Sequence, residues 1–90
     1  MRLAWSTMAR KDRLRIMTLI AEDNPTAAVA LDEAFRDKAR HAARFPRLYR
    51  PGRCVETHEI VVTSNYIMIY QVLEDTVEIL RILHARRQWP

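Results

Sequence analysis

The sequence has one cysteine, Cys54, and one glycine, Gly52, among its 90 residues. A single cysteine cannot form a disulfide within the chain, and the residues around Cys54 lack a spacing typical of metal ligands. No run reaches the ~18 apolar residues that cross a bilayer, and the first residues lack the apolar core of a signal peptide. We therefore expect a protein of a reducing compartment, the cytoplasm, with no metal, no cofactor and no membrane contact.

What is present is the composition of a folded domain. Hydrophobic residues make up 49% and charged residues 29% of the chain, which excludes a disordered or low-complexity protein. We predict one domain over residues 1–90. At this length folding buries only ~60 to 65% of the surface of the unfolded chain, so the core is modest and a binding partner would add to stability.

The net charge of +4 is unevenly distributed along the chain. Residues 1–35 carry five basic and five acidic side chains, whereas residues 36–53 carry seven basic side chains and one acid. Residues 54–80 carry five acids and neither lysine nor arginine, and three arginines follow from Arg81 onward. This segregation predicts a cationic surface suited to an acidic protein or to phosphates, and it does not separate the two.

The first residues predict a strand followed by a helix. Leu3 and Trp5 alternate with more polar positions, which is typical of a short strand. A helix start follows at Ser6 or Thr7, since either hydroxyl can cap the first amides. We expect this helix to end near Ala21.

Asn24 before Pro25 predicts the start of a second helix. Asparagine accepts hydrogen bonds from the first free amides, and proline at the first helical position has no amide that needs a partner. We expect this helix to run from Pro25 to about Phe45. Its core-facing stripe consists of Ala28, Leu31, Phe35, Ala39, Ala42 and Phe45. Part of the stripe could instead form a groove for a helix of another protein.

A basic loop, residues 45–53, precedes three predicted strands. Pro46 ends the helix, and the loop FPRLYRPGR holds three arginines around Tyr49. From residue 56 the apolar period becomes two, and short joints imply an antiparallel meander over residues 56–63, 66–72 and 76–84. We expect the last strand to be central and covered on both faces. Strict alternation places the following side chains on one face: Val77, Ile79, Arg81 and Leu83.

Several strings, taken in this order, resemble the RelE/ParE superfamily of toxins from bacterial toxin-antitoxin systems, on the ParE side. They are WS before the first helix, IAEDNP, FPRLYRPGR and YxxxYQVxEDTVEILRILHARRQW, and they span nearly the whole chain. The resemblance implies an α+β fold with an N-terminal strand, a two-helix hairpin and a three-stranded antiparallel meander. These would form one small sheet with the helices on one face.

The resemblance implies either of two activities, because membership of the superfamily does not fix the function. RelE-like members are ribosome-dependent endonucleases that cut mRNA, whereas ParE-like members poison DNA gyrase. In the RNA-cutting branch the strand matching YIMIY commonly carries an arginine three residues before its second tyrosine. Ile67 stands there, and isoleucine can neither neutralise an oxyanion nor orient a phosphate. No tyrosine follows the last predicted strand either, so both departures argue against nuclease chemistry.

The nuclease alternative stays open, because His84 can transfer a proton near neutral pH and arginines can hold phosphate. The residues that would serve it are Arg81, His84, Arg86 and Tyr70. Structural roles are also open: His84 can be a strand-end residue capped by backbone. Arg81 can form an internal ion pair with an acid such as Glu59 or Glu78.

The sequence thus favours a gyrase poison without enzymatic activity over an mRNA endonuclease. Arginine and tryptophan concentrate binding energy at interfaces, so the basic C-terminal segment, residues 81–89, is the expected target-contacting surface. Its residues are Arg81, His84, Arg86, Arg87 and Trp89. A third alternative is an attenuated toxin that acts mainly with its antitoxin as a repressor.

The family relation also implies a cognate antitoxin whose C-terminal segment wraps the toxin along the helical hairpin and the sheet edge. Coupled folding of an acidic segment suits a toxin with a modest core. The expected contacts are Leu31, Phe35, Arg50 and Arg53. Operator DNA would be bound only indirectly, through the antitoxin.

Overall fold

One sheet and a helical hairpin make up the computed structural model, which describes residues 1–87. In chain order the elements are β1 Arg2–Trp5, α1 Thr7–Asp23, α2 Pro25–Arg44, β2 Arg50–Pro51, β3 Thr57–Val61, β4 Tyr66–Leu73 and β5 Thr76–His84. The predicted order of a strand, two helices and three strands is confirmed. Neither helix within these residues is long and apolar enough to cross a membrane.

Both helices begin at the residues that the sequence indicated. The Ser6 hydroxyl accepts the N–H of Ala9 at 3.0 Å, and the Asn24 side chain accepts the N–H of Ala27 at 3.0 Å. The ends differ slightly from the prediction. α1 continues to Asp23, two residues past the expected end, and α2 stops at Arg44, one residue early.

The strand order is β1-β5-β4-β3-β2. The β3, β4 and β5 strands form the predicted antiparallel meander, while β1 pairs with β5 in parallel. β2 was not predicted, because two residues that include Pro51 show no alternation. It lies within the basic loop and pairs with β3, with Arg50 opposite Glu59.

The helical hairpin packs on one face of the sheet and forms the main core there. Alanines line much of the helical side, so the helices approach closely, and Phe35 and Tyr70 are its largest fully buried side chains. Its buried residues are Ala9, Ile16, Phe35, Ala39, Ala42, Ala43, Ile60, Met68, Tyr70, Val77, Ile79 and Ile82. Ile67, Ile69 and Leu83 form a second buried cluster, against which Leu80 and Ala85 pack.

A β-bulge in β5 shows that the predicted alternation of this strand was wrong. Ile69 lies opposite Arg81 and Tyr70 lies opposite Ile79, so Leu80 is an extra residue without a partner. An extra residue shifts the side-chain alternation by one position. Ile82 therefore joins Ile79 in the main core, and Leu83 belongs to the second cluster.

Candidate functional site at the end of the last strand

Arg81 forms an ion pair with Asp12 of α1. Its Nε donates to Asp12 Oδ2 at 2.8 Å, and its Nη2 donates to Oδ1 at 3.2 Å. β1 ends at Trp5, opposite Ile79, so it does not pair with the rest of β5. Beyond the end of β1, Asp12 takes the place of a strand partner: its Oδ2 accepts the N–H of Ile82 at 3.0 Å. The ion pair thus fastens α1 to the last strand.

The surroundings of Asp12 favour its charged form. Burial raises the pKa of this carboxyl, but the Arg81 hydrogen bond, the Ile82 N–H and the nearby charges of Arg81 and Arg15 together hold the pKa below its usual 3.8. The hydrogen bond to Asp12 raises the pKa of Arg81 in turn, against the opposing effect of burial. The Arg81 side chain is only 17% exposed, so little of it is accessible to a target, and it lies beneath the predicted contact surface.

An internal ion pair of Arg81 therefore exists, but its acid is neither Glu59 nor Glu78. Glu59 is held by arginines of the basic loop, and Glu78 accepts a hydrogen bond from Gln71 at 2.8 Å. Sequence reasoning missed Asp12, although a single acid within the basic string RKDRLR was a usable signal.

His84 is exposed at the end of β5. Its Nδ1 accepts the N–H of Arg86 at 3.2 Å, and its ring meets that of Tyr66 edge-on, with 5.7 Å between centroids. Because Nδ1 is the acceptor, the proton of the neutral ring sits on Nε2. The expectation of a strand-end histidine held by neighbouring backbone matches this geometry.

The tail, residues 85–87 as far as the structure describes it, turns back after β5. Ala85 N–H donates to Asn65 C=O at 2.7 Å, and Arg87 N–H donates to His84 C=O at 2.9 Å. The Arg86 and Arg87 side chains are exposed. Trp89, the remaining predicted target contact, lies outside the described residues.

Arg50 and Arg53 of the basic loop share the buried carboxylate of Glu59 on β3. Arg50 Nη2 donates to Glu59 Oε1 at 3.2 Å, and Arg53 N–H donates to Oε2 at 3.1 Å. Arg53 Nε lies 3.3 Å from the same Oε2. The outer guanidinium of Arg53 donates to Arg87 C=O at 2.9 Å, so the loop reaches the tail.

The two hydrophobic residues predicted to contact an antitoxin differ in accessibility. Leu31 is half-buried at the margin of the main core. Phe35 is fully buried, and its ring meets that of Tyr66 edge-on at 6.0 Å. Phe35 therefore shapes the hairpin from inside and presents no surface to a partner in this conformation.

Of the residues of the nuclease alternative, His84 and Arg86 meet at the end of β5, whereas Arg81 and Tyr70 are committed to other contacts. Tyr70 is fully buried in the main core, and its hydroxyl donates to Pro46 C=O at 2.6 Å. Burial, with a smaller contribution from Tyr49, raises the pKa of Tyr70 to about 12. Ile67, at the position of the phosphate-holding arginine, is buried in the second cluster.

Two histidines without an evident partner in the sequence contact tyrosines: His58 contacts Tyr70, and His41 contacts Tyr49. The His58 ring stacks on Tyr70 at 5.0 Å, and its buried Nδ1 has no hydrogen-bond partner among the described residues. His41 Nδ1 lies 2.6 Å from the Tyr49 hydroxyl. These aromatic contacts join the end of α2 to the sheet.

A strand, a helical hairpin and further strands that form one sheet under the hairpin are the arrangement of the RelE/ParE toxin fold. Comparison of structures agrees. The chain superposes on a chain from the structure of the chromosomal ParDE toxin-antitoxin system from P. aeruginosa with a TM-score of 0.82. The two are 17% identical, and the match covers 93% of this chain and 95% of that one. The isolated E. coli RelE toxin gives a TM-score of 0.67, at 17% identity over 97% and 86%.

Comparison of sequences gives the family. A model of the ParE toxin of the type II toxin-antitoxin system parDE matches residues 3–89. A putative toxin, Y4kP, from Sinorhizobium fredii is 34% identical over 90 residues, which cover 99% of this chain and 93% of that protein. The chain therefore belongs to the ParE toxin family of type II toxin-antitoxin systems.

Proposed function

We propose that this toxin acts in the cytoplasm by binding DNA gyrase, stalling it on cleaved DNA and arresting growth. The observation that carries the proposal is the state of the residues that RNA cleavage would need. Ile67 replaces the phosphate-holding arginine and is buried, and Tyr70 is buried with its hydroxyl donated to Pro46. A hydroxyl with a pKa near 12 is poorly suited to proton transfer at neutral pH.

The charge that remains accessible suits binding. Arg81 is committed to Asp12, whereas Arg86 and Arg87 are exposed on the tail. Arginine and tryptophan are residue types that dominate binding energy at protein interfaces, and Trp89 follows the two exposed arginines in the sequence. Arg86, Arg87 and Trp89 are therefore the proposed core of the gyrase contact, with His84 at its margin.

A cognate antitoxin is proposed to neutralise the toxin through the hairpin and the basic loop. Leu31 offers partly exposed apolar surface, and Arg50 and Arg53 offer charge for acidic side chains. The carboxylate of Glu59 already pairs with both arginines. An antitoxin carboxylate would therefore add to an existing network of charges.

The proposal is tested with purified toxin in a gyrase supercoiling assay. We expect wild-type toxin to inhibit supercoiling. The combined substitution Arg86→Ala, Arg87→Ala and Trp89→Ala should weaken inhibition by a factor on the order of 100 or more, because arginine and tryptophan anchors commonly contribute ~2 kcal/mol each. Arg36→Ala with Arg40→Ala is the matched control, since it removes two charges from exposed positions of α2. Full growth arrest by the tail variant would show that the tail is not the target-contacting surface.

A ribosome-dependent mRNA endonuclease is the second candidate, favoured by exposed His84, whose Nε2 side is not used by the Arg86 bond. The same toxin preparation is added to mRNA on programmed ribosomes. Cuts positioned by codons, with gyrase untouched, would overturn the gyrase proposal. Induction without any growth defect would instead favour an attenuated toxin that acts with its antitoxin as a repressor.

A further inference from the structure

Within residues 1–87, one hydrogen bond joins the basic loop to the tail. Arg53 Nη1 donates to Arg87 C=O at 2.9 Å, although 34 residues separate the two along the chain. The N–H of Arg87 donates only to its near neighbour His84. The bond from Arg53 therefore ties this end of the tail to a distant part of the fold.

Glu59 fixes the direction of the Arg53 guanidinium. This carboxylate is only 4% exposed, so it needs partners to offset its desolvation. Oε2 faces both the backbone N–H of Arg53, at 3.1 Å, and its Nε, at 3.3 Å. These two contacts to one oxygen fix both the backbone of Arg53 and its guanidinium. Nη1 is not used by Glu59 and donates to Arg87.

Arg50 provides an internal comparison. It also pairs with Glu59, at 3.2 Å, and it lies in the same loop. Its hydrogen bond runs to Glu59 and not to the tail. The two arginines thus share one carboxylate, and the contact with Arg87 distinguishes Arg53.

We propose that Arg53, held by Glu59, is a positioning residue that fixes the tail for target binding. The inference rests on the proposed function, because it takes the tail as the surface that contacts gyrase. A tail that is already ordered loses less conformational freedom when it binds, so fixing it in advance strengthens binding without any new contact. Arg53 thereby controls the potency of the toxin through the tail.

The test compares the full-length toxin with its Arg53→Ala variant by two measurements. Backbone ¹⁵N order parameters of Arg86 and Arg87 should fall from about 0.85 to below about 0.6 in the variant, while those of β4 and β5 stay unchanged. The toxin concentration for half inhibition of gyrase should rise ~10-fold, because the loosened tail must be ordered on binding.

Two control variants separate the tail contact from loss of charge and from loss of an ion pair. Arg50→Ala removes the other ion pair of Glu59 and should leave the tail order parameters at their wild-type values. Arg36→Ala removes one exposed charge from the same basic segment and should leave inhibition unchanged. If Arg53→Ala does not fold, Arg53→Lys keeps the charge beside Glu59, lacks the second donor arm and should loosen the tail likewise.

Weaker inhibition with an unchanged tail would overturn the inference, because Arg53 would then contact gyrase itself. A loosened tail with full inhibition would also overturn it. Failure of the proposed function is a different result: full inhibition by the Arg86, Arg87 and Trp89 variant. The order parameters decide the positioning of the tail independently of that outcome.

Discussion

Asp12 illustrates how a single buried carboxylate can connect two elements. Its oxygens accept from the Arg81 guanidinium and from the Ile82 N–H, and Arg15 lies 3.3 Å away on the same helix. Removing one partner of a buried ion pair is far more costly than replacing both, since the other charge is left without compensation. The residue is therefore a sensitive point for stability.

Asp12→Asn should lower the free energy of unfolding at pH 7 by roughly 2 to 4 kcal/mol, because Arg81 is left without its counter-charge. The amide oxygen can still accept from Ile82, which keeps the strand edge satisfied. Urea unfolding monitored by circular dichroism measures the change. Glu22→Gln on the exposed part of the same helix is the control and should stay within about 0.5 kcal/mol of wild type.

The pH dependence of this contribution follows from the lowered pKa of Asp12. A carboxyl whose folded pKa lies below its unfolded value stabilises the fold above the unfolded pKa, near 4. That stabilisation disappears as the pH falls through the folded pKa. Wild-type toxin should therefore lose more stability than the Asp12→Asn variant between pH 5 and pH 2, and equal losses in a urea series over this range would contradict the assignment.

Among the elements, the loop between α2 and β3 depends on its one glycine. Gly52 N–H donates to Thr57 C=O at 2.7 Å, and a Cβ at Gly52 would lie 2.2 Å from Thr57 Oγ1 and 3.1 Å from the Thr57 carbonyl carbon. The Thr57 hydroxyl donates to Cys54 C=O at 2.7 Å, so it cannot turn away without losing that bond. Glycine is needed here because Thr57 approaches the backbone closely. Backbone conformation is not the reason, since φ at Gly52 is not positive.

Gly52→Ala should therefore destabilise the protein by ~1 to 3 kcal/mol, the usual cost of forcing extra atoms into a packed position. Thermal or urea unfolding provides the measurement. Val55→Ala changes a residue of the same loop that is 91% exposed, and it should be nearly neutral. A Gly52→Ala variant as stable as Val55→Ala would show that the loop can move away from Thr57.

The bulge in β5 shows why an element can be predicted while its faces are not. Alternating apolar residues identified the strand, but both of its faces are apolar, so nothing in the pattern marks the extra residue at Leu80. The Ser6 hydroxyl donates to Leu80 C=O at 2.8 Å, from 74 residues earlier in the chain. A contact so distant in sequence leaves no local signal.

For the whole molecule, the modest core predicts a strong response to the antitoxin. A partner present at 100 times its dissociation constant stabilises by about 2.7 kcal/mol, and in a domain of this size each kcal/mol raises the melting temperature by about 4 to 8 °C. Saturating antitoxin should thus raise the melting temperature by about 10 to 20 °C in a thermal melt. Arg50→Ala toxin should show a smaller shift, and an unchanged midpoint at saturation would contradict coupled stabilisation.

The sequence by itself determined the order of the elements and the family. Capping residues, the change of apolar period from helical to two, and the strings around the helices and the last strand are local, so they can be read without coordinates. Tertiary structure alone decided which charges meet: Asp12 with Arg81, Glu59 with Arg50 and Arg53, and Arg53 with the tail. These pairings depend on where β1 ends, on the bulge and on the path of the basic loop. A carboxylate pairs with the arginine that the fold places beside it. The sequence contains many arginines, and all of them are chemically equivalent as partners.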